Sequence, residues 1–266
     1  MSRTVLITGA TDGLGRALAV RAHHEGWDVL AHGRSEERLA ALTAELAGVR
    51  TFRADLASLA EVAALADAVI GAVDRLDVLV SNAGVGTKEP GGGRRMESAD
   101  GHELRFAVNY LAGYALTRRL LGLLTAAAPG ARVVSVASAG QAAIDFSDVM
   151  LTRAYDGTRA YAQSKLAQIV FTFDLAAELD PHEVTATALH PGTYMPTKMV
   201  TGAGIAPLTP LEHGVDATWR LVADPQLDGV SGRYYNDTRE ARPDGQALDA
   251  DDRRTLRELS ERLTGI

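Results

Sequence analysis

Tyr161 and Lys165 stand four residues apart in a stretch without helix breakers. On a helix, residues i and i+4 share one face. A free tyrosine has a pKa of about 10, so acid/base work near pH 7 requires roughly 4 kcal/mol of phenolate stabilisation. A positive charge about 4 Å away supplies roughly that amount at an effective dielectric constant of about 20. The spacing therefore predicts that Lys165 makes Tyr161 a general acid/base.

A glycine-rich turn near the N-terminus is a second candidate site. The apolar run 4–7 predicts a short buried strand that leads through this turn into a helix from Arg16. Glycines there permit a tight turn and close approach of a pyrophosphate, whose charge is met by N–H groups at the helix N-terminus. The predicted nucleotide-binding residues are Thr8, Gly9, Thr11, Asp12, Gly13, Leu14 and Gly15.

Short apolar runs that alternate with amphipathic helices must position these residues. Strands are predicted near 4–7, 28–32, 49–53, 77–80, 132–137, 184–189 and 232–235. This alternation predicts an α/β fold, a doubly wound, Rossmann-like parallel sheet with its binding crevice at the carboxyl ends of the strands. The chain of 266 residues can bury one large core, so a single domain over 1–266 is expected.

The patterns T-G-x-x-x-G-x-G and Y-x-x-x-K together resemble the short-chain dehydrogenase/reductase family. Further landmarks of the family follow in order: Asp55-Leu56, Asn82-Ala83-Gly84, Asn109, Ser138 and Pro191-Gly192. The resemblance covers nearly the whole chain. It implies a seven-stranded parallel sheet in the order 3-2-1-4-5-6-7 with helices on both faces. It also implies a homodimer or homotetramer paired through the helices that carry Asn109 and Tyr161.

The resemblance also implies roles for individual residues. Ser138 would hydrogen-bond the substrate oxygen, and Tyr161 would exchange the proton as a hydride moves to or from the nicotinamide. Lys165 would hold the nicotinamide ribose, while Asn109 would seat a water in a proton relay. The remaining cofactor contacts implied are Asp55, Leu56, Asn82, Ala83, Gly84, Pro191, Gly192 and Thr193. Tyr155 is a weaker candidate than Tyr161, because Arg159 rather than lysine stands four residues after it.

Cofactor choice depends on the end of the second strand. An NAD enzyme usually carries an acidic residue there for the ribose 2′-hydroxyl, but this chain has Gly33 followed by Arg34. A guanidinium at that place suits a 2′-phosphate. Asp12 argues the other way, because many NADP-preferring relatives have a basic residue at its position. The prediction is NADP(H), with NAD(H) as the alternative.

Two departures from the family pattern bear on the substrate. The 23 positions from Ser138 to Tyr161 predict an extra loop over about 139–158 that hangs over the crevice. The chain here resembles the branch with retinol dehydrogenases, WW-domain oxidoreductase and protochlorophyllide reductase. The usual threonine after Pro191-Gly192 is displaced, which leaves Thr193 and Thr197 as alternatives. The segment of about 193–212 mixes apolar residues with helix breakers and predicts a lid over a bulky apolar carbonyl or alcohol.

Composition excludes several functional classes. The net charge of −7 without a basic stripe argues against nucleic acid binding, and no cysteine is available for disulfide or thiolate chemistry. The scattered histidines give no metal site. Neither a membrane-spanning run nor a signal peptide is evident, so a cytoplasmic protein without membrane contact is expected.

Three functions are consistent with these features. The leading prediction is an NADPH-dependent ketone or aldehyde reductase, reversible as an alcohol dehydrogenase. A nicotinamide-binding sensor would have no need for the acid/base set of Asn109, Ser138, Tyr161 and Lys165. An epimerase or dehydratase would use the cofactor transiently, but its usual relatives carry T-G-x-x-G-x-x-G, a spacing absent here.

Overall fold

The computed structural model describes residues 2–88 and 90–266. Most strands in it are short apolar runs that are buried on both faces, as parallel strands between two helix layers must be. In that part of the chain eight strands occur: β1 (Thr4–Ile7), β2 (Asp28–Gly33), β3 (Arg50–Arg53), β4 (Val78–Ser81), β5 (Ala131–Val136), β6 (Val184–His190), β7 (Arg233–Asn236) and β8 (Arg239–Glu240).

All eight strands form one sheet in the order β3-β2-β1-β4-β5-β6-β7-β8. Strands β1 to β7 are parallel, which confirms the predicted fold and strand order. The predicted count of seven is one too few, because β8 adds a short antiparallel edge strand. It follows β7 through a turn at Asp237, whose φ of 61° is left-handed. A strand of two residues has no periodicity from which it could be predicted.

Helices cover both faces of the sheet. They are α1 (Gly13–His24), α2 (Glu36–Glu45), α3 (Leu59–Ile70), α4 (Ala112–Ala126), α5 (Gly157–Glu178), α6 (Lys198–Thr201), α7 (Leu211–Ala223), α8 (Gly245–Leu248) and α9 (Ala250–Thr264). A π-helical turn, Phe106–Leu111, precedes α4. Side chains at the N-caps of α1, α2, α3, α5 and α9 accept first-turn N–H groups, which fixes where these helices begin.

The core has two halves, one on each face of the sheet, and successive side chains of β1 point into opposite halves. Leu6 packs into the half made with α3, α4, α5 and α9, whereas Val5 and Ile7 pack into the half made with α1, α2 and α7. This alternation is the period-two pattern of a strand between two layers. Because both faces of the sheet are covered, only the strand ends remain open for a ligand.

Helix α9 lies across α5, whose residues are buried on almost every side. Arg257 on α9 forms an ion pair with Asp174 on α5 at 2.9 Å. Ser260 on α9 hydrogen-bonds the Tyr110 hydroxyl at 2.6 Å, and both side chains are buried. Helix α9 therefore covers the outer side of α5, which carries Tyr161 and Lys165, and of the π-helical turn, which carries Asn109.

Candidate active site

A cavity of about 680 Å³ opens at the carboxyl ends of β1, β4, β5 and β6. The strand order reverses between β1 and β4, which is where doubly wound sheets bind their ligands. Most of the residues predicted from the sequence line this cavity: Gly9, Asp12, Gly13, Leu14, Gly15, Asn82, Ala83, Gly84, Ser138, Tyr161, Lys165, Pro191, Gly192 and Thr193. Thr8, Thr11, Arg34, Asp55, Leu56 and Asn109 lie outside its lining.

The glycine turn after β1 forms one end of the cavity. Gly9 and Gly13 have φ values of 67° and 50°, which side chains rarely adopt. A Cβ on Gly15 would lie 2.2 Å from the Gly9 carbonyl oxygen, so only glycine lets helix α1 start this close to the turn. Gly13, Leu14 and Gly15 at the start of α1 line the cavity, where a helix N-terminus suits a pyrophosphate. The turn therefore fits a dinucleotide.

Thr8 holds two turns together instead of facing the cavity. Its hydroxyl accepts hydrogen bonds from the N–H groups of Asn82 and Ala83 at 2.9 and 3.0 Å. The Asn82 amide in turn donates to the Thr8 carbonyl oxygen at 2.8 Å. The Thr8 hydroxyl therefore joins the turns after β1 and β4, and its contact with the cofactor stays a prediction.

His32 also anchors the glycine turn, and sequence reasoning missed it. Its Nδ1 accepts the Gly9 N–H at 3.2 Å, and its Nε2 lies 3.1 Å from the Ala54 carbonyl oxygen, to which it donates. Burial lowers the pKa of His32, which favours the neutral ring that this pair of bonds requires. The only sequence signal was a histidine inside an apolar strand, which does not reveal a contact 23 residues away.

Asn109 lies in the π-helical turn and is buried. Its side chain accepts from the Val85 N–H at 2.7 Å and donates to the Val85 carbonyl oxygen at 3.1 Å and to the Ser164 hydroxyl at 2.9 Å. The amide thus ties the loop after β4 to helix α5. The π-helical turn also changes the backbone hydrogen bonding around Asn109 relative to an α-helix.

Ser138 and Tyr161 both line the cavity. The Ser138 hydroxyl accepts the Gly140 N–H at 3.0 Å, and Tyr234 donates to the Ser138 carbonyl oxygen at 3.0 Å, which fixes the residue after β5. Burial raises the pKa of Tyr161, and a hydrogen bond with Ser138 opposes that rise. The phenol is therefore held beside a second hydroxyl at one place, and the two can bind one substrate oxygen.

The Lys165 ammonium is buried one turn after Tyr161. It donates to the Val136 carbonyl oxygen at 2.9 Å and to the Gln168 Oε1 at 2.8 Å, and it lies 5.8 Å from the centre of the Tyr161 ring. Burial lowers the pKa of Lys165 to about 7. Burial is the main cause of both shifts, and it lowers the pKa of Lys165 and raises that of Tyr161. The acid/base role of Tyr161 stays a prediction.

Charged side chains around Asp12 define the side of the cavity nearest β2. Arg34 follows Gly33 and is exposed. Asp12 forms ion pairs with Arg38 at 3.3 Å and with Lys198 at 3.1 Å, so two cations balance the carboxylate that argued against NADP(H). Arg38 was missed, because a basic residue in the first turn of α2 resembles an ordinary exposed charge.

Asp55 and Leu56 lie beyond the cavity, after β3. The Asp55 carboxylate accepts the Ala57 N–H at 3.0 Å, and Leu56 packs into the core. Thr11 lies against Gly33, where a Cβ would come within 2.5 Å of the Thr11 Cγ2. These three predicted contacts shape the turns around β2 and β3, and their side chains are not part of the cavity wall.

The segment of about 193–212, predicted to be a lid, lies after β6, contains α6 and lines one side of the cavity. Thr197 packs on Gly13, where a Cβ would lie 2.9 Å from the Thr197 Cγ2, and Met199 packs in the same way on Gly86. Thr193 lies earlier, with its hydroxyl 3.1 Å from His190 Nε2. Both threonines line the cavity, Thr197 beside the glycine turn and Thr193 further along.

The extra loop before α5 was expected to hang over the cavity, but most of it packs elsewhere. Its apolar residues Ile144 and Val149 are buried in the core beside α5. Gln163 donates to the Val149 carbonyl oxygen at 2.8 Å, and the loop ends at Asp156, the N-cap of α5. Of the predicted range 139–158, only Ala139, Gly140 and Thr158 line the cavity. Burial of apolar side chains against the helix outweighs their exposure over an open cleft.

Within the described residues, no group of three or more histidine, aspartate or glutamate side chains is placed to hold a metal ion. No helix found in 2–88 or 90–266 has the length and apolar character needed to cross a bilayer.

Comparisons with known proteins agree with this geometry. The sequence model described as short chain dehydrogenase matches residues 3–208. Human retinol dehydrogenase 14 is 35% identical, over 99% of this chain and 87% of that protein. Mouse polyprenol dehydrogenase is 36% identical, over 99% of this chain and 84% of that protein. A short chain dehydrogenase from Burkholderia cenocepacia J2315, solved in complex with NADP, has a TM-score of 0.69 and 26% identity, over 89% and 96% of the two chains.

Proposed function

This chain belongs to the short chain dehydrogenase family and is an NAD(P)-dependent oxidoreductase, and we propose that it reduces a ketone or aldehyde on a bulky, largely apolar molecule with NADPH. The reverse reaction is oxidation of the corresponding alcohol. One observation carries the proposal: Ser138, Tyr161 and Lys165 line the same cavity as the glycine turn. A carbonyl carbon held there lies between a proton donor and the place for a nicotinamide ring.

The residues of the chain would divide the work as follows. When bound, a nicotinamide would supply a hydride to the carbonyl carbon in reduction, or accept one from the alcohol carbon in oxidation. The Ser138 and Tyr161 hydroxyls bind the carbonyl oxygen, and Tyr161 gives its proton to that oxygen as the alcohol forms. Lys165 holds the ribose and contributes positive charge beside the phenol. Asn109, joined to Val85 and Ser164, keeps the loop after β4 in register with α5.

The environment of Tyr161 favours the reductive direction near neutral pH. Burial raises the pKa of the phenol, so Tyr161 carries the proton that reduction consumes. Oxidation requires the phenolate, which is favoured by the Lys165 ammonium and by the positive charge of an oxidised nicotinamide. We therefore expect oxidation to reach its maximum at a higher pH than reduction.

The charges near β2 support NADPH as the preferred cofactor. Gly33 offers no carboxylate for a ribose 2′-hydroxyl, while Arg34 is exposed beside it and Arg38 follows one turn later. A guanidinium fork suits a 2′-phosphate. Arg38 and Lys198 balance the Asp12 carboxylate, which reduces its repulsion of a phosphate. NAD(H) remains the alternative cofactor.

The substrate class follows from the cavity wall and the relatives. Tyr194, Met195, Met199, Val200 and Ile205 supply apolar surface from the segment after β6. The relatives named for retinol and for polyprenol act on long apolar alcohols by their names. We propose that residues 193–212 form a lid over a ligand of this kind, a long or polycyclic apolar carbonyl or alcohol without charged groups.

The test is oxidation of NADPH and NADH by the purified protein with a panel of retinoid-like, isoprenoid and aromatic carbonyls. We expect turnover with a preference for NADPH. We expect Arg34→Ala to weaken the affinity for NADPH by roughly 10–100-fold, while the affinity for NADH changes little. Glu37→Ala, a change in the same exposed turn, is the matched control. Tight cofactor binding without turnover on any carbonyl would contradict the proposal and favour the sensor.

Association of copies is a separate proposal. Helix α9 covers the outer side of α5 through Arg257, Leu256 and Ser260, so this face is occupied within one chain. We propose that a homodimer or homotetramer would pair through another face than the helices that carry Asn109 and Tyr161. Light scattering gives the number of copies. Crosslinks between two copies of the chain through cysteines introduced on α4 and α5 would contradict this proposal.

A further inference from the structure

We propose that Gln168 is a positioning residue that holds the Lys165 ammonium in its working place, a role that rests on the proposed function. Gln168 lies three residues after Lys165 on α5 and is buried. Its Oε1 accepts a hydrogen bond from Lys165 Nζ at 2.8 Å. The Val136 carbonyl oxygen, 2.9 Å away, is the other acceptor. Two N–H groups of the ammonium are thus fixed, and the third is free for the cavity.

The ammonium depends on these two neutral acceptors. Lys165 is 3% exposed, and in the described part of the chain it forms no ion pair with a carboxylate. Burial without a carboxylate lowers the pKa of Lys165 to about 7. Hydrogen bonds to a charged group are roughly twice as strong as those between neutral groups, so each of the two acceptors contributes much to keeping the proton on Lys165.

The surroundings of Gln168 fix which end of its amide faces the lysine. An ammonium has only donors, so the amide oxygen must point to Lys165. Gln168 also borders a small cavity of about 10 Å³ with a mixed wall that includes Ser81, Ser135 and Phe171, which has room for about one water. The amide NH₂ can donate into this space. Gln168 is therefore held in one orientation between the lysine and this small cavity.

A neutral acceptor does what a carboxylate there could not do. Glutamate at position 168 would hold the ammonium more strongly, but its negative charge would cancel the field of Lys165 at Tyr161. Glutamine keeps the lysine in place and leaves its positive charge effective. Gln168→Glu and Gln168→Met should therefore move the pKa of Lys165 in opposite directions, and both should weaken alcohol oxidation.

The first measurement is a ¹³C NMR titration of the lysine Cε atoms in the free protein. The chain contains only three lysines, Lys88, Lys165 and Lys198, and Lys165→Met assigns the signal. In Gln168→Met we expect the titration midpoint of Lys165 to fall by on the order of one pH unit. In Gln168→Glu we expect the same midpoint to rise by a similar amount. Thr172→Val is the control for a general disturbance of α5, because the buried Thr172 hydroxyl, one turn after Gln168, bonds the Gln168 main-chain carbonyl and Ser135 but not Lys165.

The second measurement is the pH profile of turnover. With less charge on Lys165, the Tyr161 phenolate forms less readily, so the midpoint of alcohol oxidation should shift to higher pH in Gln168→Met and kcat should fall roughly 10-fold or more. Thr172→Val should keep the wild-type profile. If both Gln168 variants kept the wild-type titration of Lys165 and the wild-type pH profile of turnover, the proposed role of Gln168 would be overturned. Absence of turnover in the wild type would instead overturn the proposed function, and the NMR titration would still test Gln168.

Discussion

Two clusters of a tyrosine with a cation lie at the beginning of helix α5, and they differ in what surrounds the charge. The catalytic cluster contains Ser138, Tyr161 and Lys165. The structural cluster contains Glu103, Arg105 and Tyr155. Its tyrosine, Tyr155, stands only six residues before Tyr161. Both cations are buried. Only the catalytic cluster lines the cavity.

Every group of the structural cluster is bound to the protein. Arg105 donates to the carbonyl oxygens of Gly86 and Thr87 at 2.7 and 2.8 Å and to the Tyr155 hydroxyl at 2.5 Å. Tyr155 donates to the Glu103 carboxylate at 2.9 Å. Burial and the charge of Glu103 raise the pKa of Tyr155. This phenol is therefore kept protonated and out of reach of a substrate.

The difference shows what a tyrosine and a cation need for chemistry. Glu103 balances Arg105, so the structural cluster gains stability and has no charge left to act on another group. Lys165 has only the neutral acceptors Val136 and Gln168, so its charge remains effective toward the cavity. The catalytic cluster costs stability for that reason, whereas the structural one fixes the loop at Gly86 and Thr87.

The largest expected difference between the clusters is in turnover. Tyr161→Phe should lower kcat by roughly 10²–10⁴-fold and leave cofactor affinity near wild type, because the proton donor is removed and the ring is kept. Tyr155→Phe should keep kcat within a few-fold and lower the free energy of unfolding by about 1–3 kcal/mol, because two buried charged partners lose a hydrogen bond. Steady-state kinetics and urea unfolding of both variants measure this. Near-normal turnover of Tyr161→Phe would show that the acid/base assignment is wrong.

The next difference is in stability at fixed pH. Arg105→Met should lower the free energy of unfolding by roughly 3–5 kcal/mol, because Glu103 is left buried without its partner. Adding Glu103→Gln to this variant should recover part of the loss, since the uncompensated charge is then removed. Urea unfolding at pH 7 compares the two variants. A loss below about 1 kcal/mol for Arg105→Met would show that the cluster is not a main support of the loop.

The smallest expected difference is in the pH dependence of stability. The pKa of Lys165 falls from 10.5 to about 7 on folding, so the unfolded chain binds this proton more tightly. Stability contributed by Lys165 should therefore rise with pH between about 7 and 10.5, by at most roughly 1.4 kcal/mol per pH unit. Lys165→Met should remove this rise, and Arg105→Met should keep it. Unfolding at pH 7, 8 and 9 gives both slopes, and equal slopes for wild type and Lys165→Met would contradict the burial of an unpaired ammonium.

Much of the fold was predictable because it depends on local patterns. Short apolar runs predicted strands β1 to β7, and the family resemblance implied their order. The two apolar segments after Ser138 and after Gly192 were less predictable. Both were expected over the cleft, but Ile144 and Val149 pack beside α5, whereas Met199 lines the cavity. An apolar side chain does not indicate which surface will bury it.

The sequence by itself determined the nearest-neighbour chemistry of this protein: a phenol and an ammonium one helical turn apart, and glycines where a chain must turn tightly at a helix N-terminus. Those follow from backbone geometry over a few residues. Only the tertiary structure decided that Gln168 and Val136 bind Lys165, that His32 anchors Gly9, and that Arg38 and Lys198 balance Asp12. Such contacts join residues far apart in the chain or depend on burial, so the charge that each group keeps is set by packing.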